Sequence, residues 1–253
     1  MNNPNKAQQM AAILDEPPGR ITGAQRERLV QLAMLSQAEL IDLVRSNDSV
    51  QSREAYFVLT CVHTRGLAAR FLDIVLDQSV RQYTRQTCGN VVRGRITPAI
   101  RSKVIDLLER RDPNIDPFGK VLLLQILAAN SNREAVKTIL GILVDVTEDA
   151  SVRVQAADSI ADLFEDGLPA EIETLLIQKL TDPSVDFRCA ICLTLRVSKN
   201  EKTIAALEPL TSDKSDVDRS VFQIMPSTVG RGAQLSIEQI KSKLKHRRIW
   251  KIG

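Results

Sequence analysis

Apolar residues recur along the chain with the spacing of amphipathic helices, and one stretch shows this pattern best. From Val152, apolar or small residues follow at Ala156, Ile160, Leu163 and Phe164, which is the spacing of a helix with one buried face. Five further segments repeat it from anchors at Val50, Val80, Ile115, Val185 and Val217. Consecutive anchors are 30, 35, 37, 33 and 32 residues apart. Three residues before the anchors stand mostly short polar residues that can cap a helix N-terminus, namely Asn47, Asp77, Asp112, Asp149 and Asp182, then Lys214 with Asp213 beside it.

A second amphipathic segment lies between each pair of these copies, so the repeating unit is a pair of helices. A period of this length without strand signals is typical of an α-solenoid. The predicted repeats cover residues 36–65, 67–94, 98–131, 132–166, 169–199 and 201–226. We therefore expect an all-α fold, a right-handed α-solenoid of about six helix pairs with terminal capping helices. Residues 1–35 are the predicted N-terminal cap, 36–226 the repeats, and 227–253 a C-terminal capping helix and basic tail.

The turn aspartate, the valine, the following arginine and the alanine of the best copy resemble a known repeat family. Asp149, Val152, Arg153, Ala156 and Ala157 are similar to the HEAT repeat, including its shorter variant in phycobilisome lyases. The resemblance covers roughly residues 36–226 and implies a scaffold, an adaptor, a transport factor or, more rarely, an enzyme. Among the copies only Arg81 and Arg153 hold the arginine directly after the valine.

Composition limits the cellular setting and the kinds of ligand. Apolar residues make up 43% of the chain and aromatic residues 4%, so few flat side chains are present for stacking on bases. No run approaches the roughly 20 apolar residues of a membrane span, and the first residues lack a secretory signal pattern. Four cysteines fit a reducing compartment. These features predict a soluble cytoplasmic protein without a membrane partner.

The net charge is only +3, but basic residues concentrate in one region, which is the candidate binding surface. The helix predicted from Ser79 to Arg93 has inward positions at Val80, Thr84, Cys88, Val91 and Val92, which leaves Arg81 and Arg85 pointing outward. The HEAT resemblance implies that such second helices line a concave surface. Arginine binds carboxylates and phosphates through paired hydrogen bonds. The predicted binding residues are Arg81, Arg85, Arg93, Arg95 and Arg101; the alternative is an ordinary solvated helix face.

Other residue types give little support for catalysis or metal binding. Cys189 and Cys192 form a CxxC motif, but Cys189 falls in the middle of a predicted helix, and Cys61, Cys88 and Cys189 fit core positions. His63 stands near a predicted helix C-terminus, which favours a partly charged imidazole. The acidic group of Asp158, Asp162, Glu165 and Asp166 fits a solvated helix face. Common nucleotide, zinc-protease and serine-hydrolase motifs are missing from the sequence.

These observations favour a non-catalytic protein-binding scaffold or adaptor that contacts an acidic segment of another protein. We expect neither a cofactor nor a metal. A nucleic-acid-binding protein that uses the same arginines is the first alternative. An enzyme subunit of the bilin lyase or HEAT-like DNA glycosylase type is the second. Oligomeric state and partner identity leave no mark in the sequence.

Overall fold

The computed structural model describes residues 4–15, 22–46, 48–129, 133–218 and 226–249, and these residues form α-helices joined by short connections. Within these ranges no strand forms, and one isolated antiparallel bridge joins Asp216 to Thr228. The prediction of an all-α fold is confirmed. The helices are α1 Pro4–Asp15, α2 Gly23–Ala33, α3 Gln37–Arg45, α4 Ser49–Val62, α5 Leu67–Leu76, α6 Gln82–Gly94, α7 Pro98–Glu109, α8 Pro117–Ala128, α9 Arg133–Val144, α10 Ala150–Leu163, α11 Ala170–Gln178, α12 Val185–Leu195, α13 Glu201–Leu207 and α14 Val229–Ile249. Two 3₁₀ helices, Lys179–Thr181 and Glu208–Ser212, follow α11 and α13.

The chain divides into two compact units. The first comprises Met1–Ser102 and Pro113–Leu122, and the second Lys103–Asp112 and Leu123–Gly253. In the first unit α1 packs on α2, α3 on α4 and α5 on α6. In the second unit α9 packs on α10, α10 on α12 and α12 on α14. Each unit is thus made of neighbouring helices in pairs, while the handedness, the number of repeats and the cap boundaries stay predictions.

Of the predicted cap residues, Asp149 caps α10 by accepting from the Ser151 N–H at 2.8 Å. The cap residues of α4, α6 and α12 are Asp48, Arg81 and Ser184 in place of the predicted Asn47, Asp77 and Asp182. Ser36 and Glu39 form a capping box before α3. The expected second helix of the sixth repeat does not begin at Val217, which is extended; Met225 of that segment lies outside the described residues. Helix α14 packs on α12 in its place. It begins at Val229.

The core follows the predicted stripe only in part of α10, and the register differs in α4 and α6. Val152, Ala156 and Ile160 are fully buried, as expected, but Leu163 and Phe164 are half-buried. Most other residues of α10 are buried as well, so the helix does not have the single buried face that was predicted. Val50 is 47% exposed, because Asp48 caps α4 and places Val50 in its uncovered first turn. Helix α6 begins at Gln82 rather than Ser79, since the Ser79 N–H and the Ser79 hydroxyl bind the Asp77 carboxylate in a turn.

Three arginines hold successive helix pairs together, and each occupies the fourth position of its helix: Arg85 in α6, Arg153 in α10 and Arg188 in α12. The Nε atoms of Arg85 and Arg153 donate to the Val75 and Leu143 carbonyls at 2.9 and 3.4 Å, near the ends of the preceding helices. Arg188 Nη1 donates to the Asp182 carbonyl at 2.8 Å. Arg85, not Arg81, is therefore the counterpart of Arg153.

Each of these arginines also binds an aspartate farther along the chain. Arg85 Nη1 lies 2.8 Å from Asp116 Oδ2, and Arg153 Nη2 lies 2.6 Å from Asp182 Oδ2. Arg188 Nη2 lies 3.3 Å from Asp213 Oδ2. The Arg153 guanidinium also lies 3.8 Å from the centre of the Phe187 ring, which adds a cation–π contact. The arginine that follows each turn thus connects its own helix pair to the next.

A recurrent aspartate turn pairs with an arginine at four places: Asp77 with Arg45, Asp145 with Arg111, Asp182 with Arg153 and Asp213 with Arg188. At Asp77, Asp145, Asp182 and Asp213 the carboxylate accepts the backbone N–H of a serine or threonine two residues later, at 2.9 to 3.0 Å. This Asp-x-Ser/Thr turn is a local alternative to helix formation. It positions the carboxylate for its arginine, so short-range and long-range contacts favour the same conformation.

A buried carboxylate joins α11 to the start of α13 and provides a test of the fold. Glu173 accepts from the hydroxyls of Ser198 and Thr203, the latter at 2.6 Å, and from Asn200 Nδ2 at 3.0 Å. Burial raises the pKa of Glu173, but these hydrogen bonds outweigh burial and the pKa lies below its usual range.

Replacing Glu173 with glutamine is expected to lower the free energy of unfolding at pH 7 by about 1–3 kcal/mol, because an amide NH₂ would face hydroxyl donors. The carboxylate contributes stability above the unfolded-state pKa of about 4.3, and this contribution is lost as the pH falls through the lower folded-state pKa. Urea unfolding of wild type and Glu173→Gln between pH 7 and pH 3 should therefore show a shrinking difference. A difference that stays constant over this range would contradict the assignment.

Candidate binding site

A cavity of about 610 Å³ lies in the first unit, between the N-terminal halves of α4 and α6. Its size is within the range of ligand sites, about 300–1,000 Å³. Arginine, tyrosine and hydroxyl side chains line it, with no carboxylate among the described residues: Ser46, Ser49, Ser52, Arg53, Tyr56, Arg81, Tyr83, Thr84 and Thr87. Two cations without an anion in this described lining favour an anionic ligand.

Helix α4 supplies one wall of the cavity, and Asp48 caps the first turn of this helix. Asp48 accepts from the N–H groups of Val50 and Gln51 at 2.8 and 3.1 Å. These hydrogen bonds hold the pKa of Asp48 below its usual value, with a smaller contribution from the charge of Arg81. One turn on, Arg53 Nε donates to the Ser49 carbonyl at 3.0 Å. That bond uses Nε and leaves the two Nη groups on the exposed side of the helix.

Helix α6 supplies the other wall, and its N-cap residue is Arg81, whose side chain makes no capping hydrogen bond. Helices α5 and α11 likewise lack a side-chain cap, whereas Asp48, Asp149 and Ser184 cap α4, α10 and α12. An exposed arginine at this position adds a positive charge to the positive end of the helix dipole, which costs stability. This local cost is compensated if a ligand brings an anion to the same place.

Two tyrosines stand beside the arginines in the cavity. The Tyr56 ring stacks on Phe71 with ring centres 5.7 Å apart and planes at 11°, so its position is fixed by the core. Burial raises the pKa of Tyr56, which keeps the phenol protonated and able to donate. Tyr83 is 70% exposed and offers a flat, accessible face. The wall therefore combines hydrogen-bond donors with aromatic surface.

The structure corrects the sequence prediction at Arg85. Its side chain is 2% exposed and binds Val75 and Asp116 inside the fold. The expectation that Arg85 points toward a partner is wrong, because Arg85 lies three and four residues before the buried Cys88 and Gly89, on the same face of α6. Arg85 stabilises the helix pairs and does not reach a ligand.

The other predicted arginines are separated from one another. Arg81 lines the cavity. Arg93 and Arg95 are exposed at the opposite end of α6, about 18 Å from Arg81 at 1.5 Å per residue. Arg95 Nη2 approaches the Thr60 carbonyl at 3.4 Å. Arg101 is half-buried on α7. The structure brings Arg81 together with Arg53, which the sequence analysis did not select.

Three of the cysteines and His63 are packed inside the fold. Cys88, Cys189 and Cys192 are buried, and burial raises the pKa of each thiol to about 12, which disfavours the thiolate that nucleophilic or metal chemistry needs. Cys61, predicted as a core residue, is half-buried. His63 Nδ1 lies 2.6 Å from Lys6 Nζ. Burial and the Lys6 charge lower the pKa of His63, so the predicted partly charged imidazole is wrong. Among the described residues no group of histidine, cysteine or carboxylate side chains is placed to hold a metal ion.

Sequence analysis missed Arg53, Tyr56 and Tyr83, although a signal for them exists. Ser49, Arg53 and Tyr56 have the spacing of one helix face. Tyr83 belongs to the next pair, so the two tyrosines meet only once the pairs are placed side by side. The correct register of α6 would have put Arg81 and Tyr83 in its exposed first turn.

No protein-family model, curated protein or solved structure matches the chain. The relation to HEAT repeats therefore stays a resemblance. In the part of the chain that the structure describes, no helix is both long and apolar enough to cross a bilayer. The chemistry of the α4–α6 cavity is thus the basis for inferring a function.

Proposed function

We propose that the protein is a non-catalytic scaffold or adaptor that binds an anionic segment of a partner protein in the α4–α6 cavity. The observation that carries this proposal is the described lining of the cavity, which contains Arg53 and Arg81 and, within the part of the chain that the structure describes, no carboxylate. Charged groups placed in this way attract an anionic partner over distance and fix its position on contact. The surrounding helix pairs hold the two arginines on rigid elements.

A charge-reversal experiment tests this proposal. The probe is a fluorescein-labelled glutamate-rich peptide, and fluorescence polarisation measures its affinity. Arg53→Glu with Arg81→Glu is expected to weaken binding at least about tenfold, since each lost charged hydrogen bond is worth about 1.5–3 kcal/mol. Arg81→Glu should not damage α6, because an acidic residue suits a helix N-terminus.

The control is Arg65→Glu with Arg70→Glu, which changes the net charge equally at two exposed positions of the same unit outside the cavity lining. We expect this control to weaken binding less than about threefold, as for screened surface charges. Equal losses in both double variants would indicate diffuse attraction and contradict the cavity assignment. Arg93→Glu with Arg95→Glu measures whether the arginines predicted from sequence extend the binding surface.

Single-stranded nucleic acid is the second candidate, because Tyr56 and Tyr83 lie in the same cavity as the arginines. Aromatic side chains beside a positive groove bind bases by stacking. A labelled 12-nucleotide DNA strand distinguishes this candidate: its binding would fall steeply with salt and would weaken on Tyr83→Ala. Absence of binding at low salt would remove it.

A further inference from the structure

The donor groups of the α4–α6 cavity match a dianion better than a single carboxylate. Two arginines, Arg53 and Arg81, line one cavity, and the exposed Ser49 adds a hydroxyl group to the same lining. A carboxylate can be neutralised by one bidentate arginine. A phosphate carries nearly two charges and three acceptor oxygens, which suits two arginines together with hydroxyl donors.

Other hydroxyls of the cavity are already committed to the fold. Ser52 donates to the Val44 carbonyl at 2.8 Å, and Thr87 donates to the Tyr83 carbonyl at 2.7 Å. These bonds fix Ser52 and Thr87 in the cavity wall, so Arg53 and Arg81 lie beside side chains of fixed position. Preorganised donors bind an anion without paying much ordering entropy.

Apolar surface beside the cavity indicates that the ligand is part of a peptide. Val50 and Phe57 on α4 and Tyr83 on α6 are 47%, 37% and 70% exposed. Val50, Arg53 and Phe57 are spaced by three and four residues, so they share one face of α4. An isolated phosphate would leave this apolar face unused, whereas residues flanking a phosphorylated side chain would cover it.

From this arrangement we infer that the cavity takes a phosphorylated side chain of a partner protein, with a neighbouring apolar residue on Val50, Phe57 and Tyr83. This inference rests on the proposed function and specifies its ligand. Arg53 and Arg81 bind the phosphate oxygens, and charge complementarity selects the phosphorylated form of the segment. Phosphorylation of the partner would then switch the interaction on.

Peptide pools with a fixed central residue and degenerate flanks test the inference. Fluorescence polarisation compares pools that carry serine, glutamate, phosphoserine, phosphothreonine or phosphotyrosine at the centre. At least one phosphorylated pool is expected to bind at least about tenfold more tightly than the glutamate pool. Arg53→Gln with Arg81→Gln should remove this preference, while Arg65→Gln with Arg70→Gln should keep it. Phe57→Ser should weaken binding of the phosphorylated pool without raising the affinity for the glutamate pool.

The possible failures are distinguishable. Equal affinity for the glutamate and phosphorylated pools would overturn the inference and leave the proposed function intact. Binding of the 12-nucleotide strand with no binding of any peptide pool would overturn both. Circular dichroism of each variant identifies misfolding, and Arg81→Ser gives a second route: serine should cap α6 and raise thermal stability while it lowers affinity for the phosphorylated pool.

Discussion

Replacing Asp182 with asparagine should lower the free energy of unfolding by about 3–5 kcal/mol, the cost of leaving a buried charge without its partner. Only 6% of the Arg153 side chain and 5% of the Asp182 side chain are exposed. Burial alone raises the pKa of Asp182, but the bond from Arg153 and the Ser184 N–H outweigh it, and the pKa is held low. Asparagine keeps the size of the side chain and removes the charge. Guanidinium chloride unfolding at pH 7 measures the loss.

The matched control is Asp106→Asn, which removes an equally charged carboxylate from an ion pair on the surface. Asp106 and Arg110 are paired at 2.8 Å with 51% and 73% of their side chains exposed. An exposed pair of this kind contributes about 0.2–1 kcal/mol. The two substitutions should therefore differ severalfold in effect. Similar losses would mean that the buried pair is not a main link between α10 and the turn before α12.

Alanine in place of Gly230 should destabilise the fold by about 1–3 kcal/mol, although Gly230 lies in a helix, where alanine is ordinarily preferred. A Cβ at this position would lie 2.7 Å from both the Asp213 and the Thr211 carbonyl oxygens. These are backbone atoms and cannot rotate away. The Gly230 N–H also donates to the Asp213 carbonyl at 2.9 Å, so α14 cannot move without breaking that bond.

Gly141 provides the opposite expectation with the same chemical change. It is exposed within α9, and a Cβ there would have no described atom within 4 Å. Gly141→Ala should therefore stabilise the protein by about 0.5–1 kcal/mol through the lower entropy of the unfolded chain. Thermal unfolding of the two variants should shift in opposite directions. A shift of the same sign in both would show that the close approach at Gly230 is relieved by movement of α14.

The helix pairs were accessible from sequence because burial imposes a period. Val152, Ala156 and Ile160 are buried as the stripe predicts, and Ser36 marks the start of α3. The register of α6 was not accessible in this way. The apolar positions fit a helix from Ser79 or from Gln82, and the choice depends on the Asp77 turn. A pattern of apolar residues does not identify a buried arginine as a core residue, so Arg85 was assigned to the wrong face of α6.

The cavity could not be predicted from the spacing of apolar residues, for a different reason. Arg53 and Tyr56 belong to one helix pair, whereas Arg81 and Tyr83 belong to the next. Their proximity depends on how far one pair is shifted along the other, which no single helix pattern records. Low aromatic content argued against stacking surfaces, yet both tyrosines of the chain lie in this cavity. The position of a few aromatic residues carries more information than their number.

The buried arginine–aspartate pairs all run the same way along the chain, from an arginine to a later aspartate. In the second unit Arg153 reaches forward to Asp182, and Arg188 reaches forward to Asp213. Removing a helix pair on the N-terminal side of such a link would leave an aspartate, which can take up a proton. Removing one on the C-terminal side would leave a buried arginine, which stays charged at any ordinary pH. Truncation from the C-terminal side should therefore be tolerated less well than truncation from the N-terminal side. An inserted helix pair that lacks the Asp-x-Ser/Thr turn should likewise destabilise the fold, because it offers no carboxylate to the arginine before it.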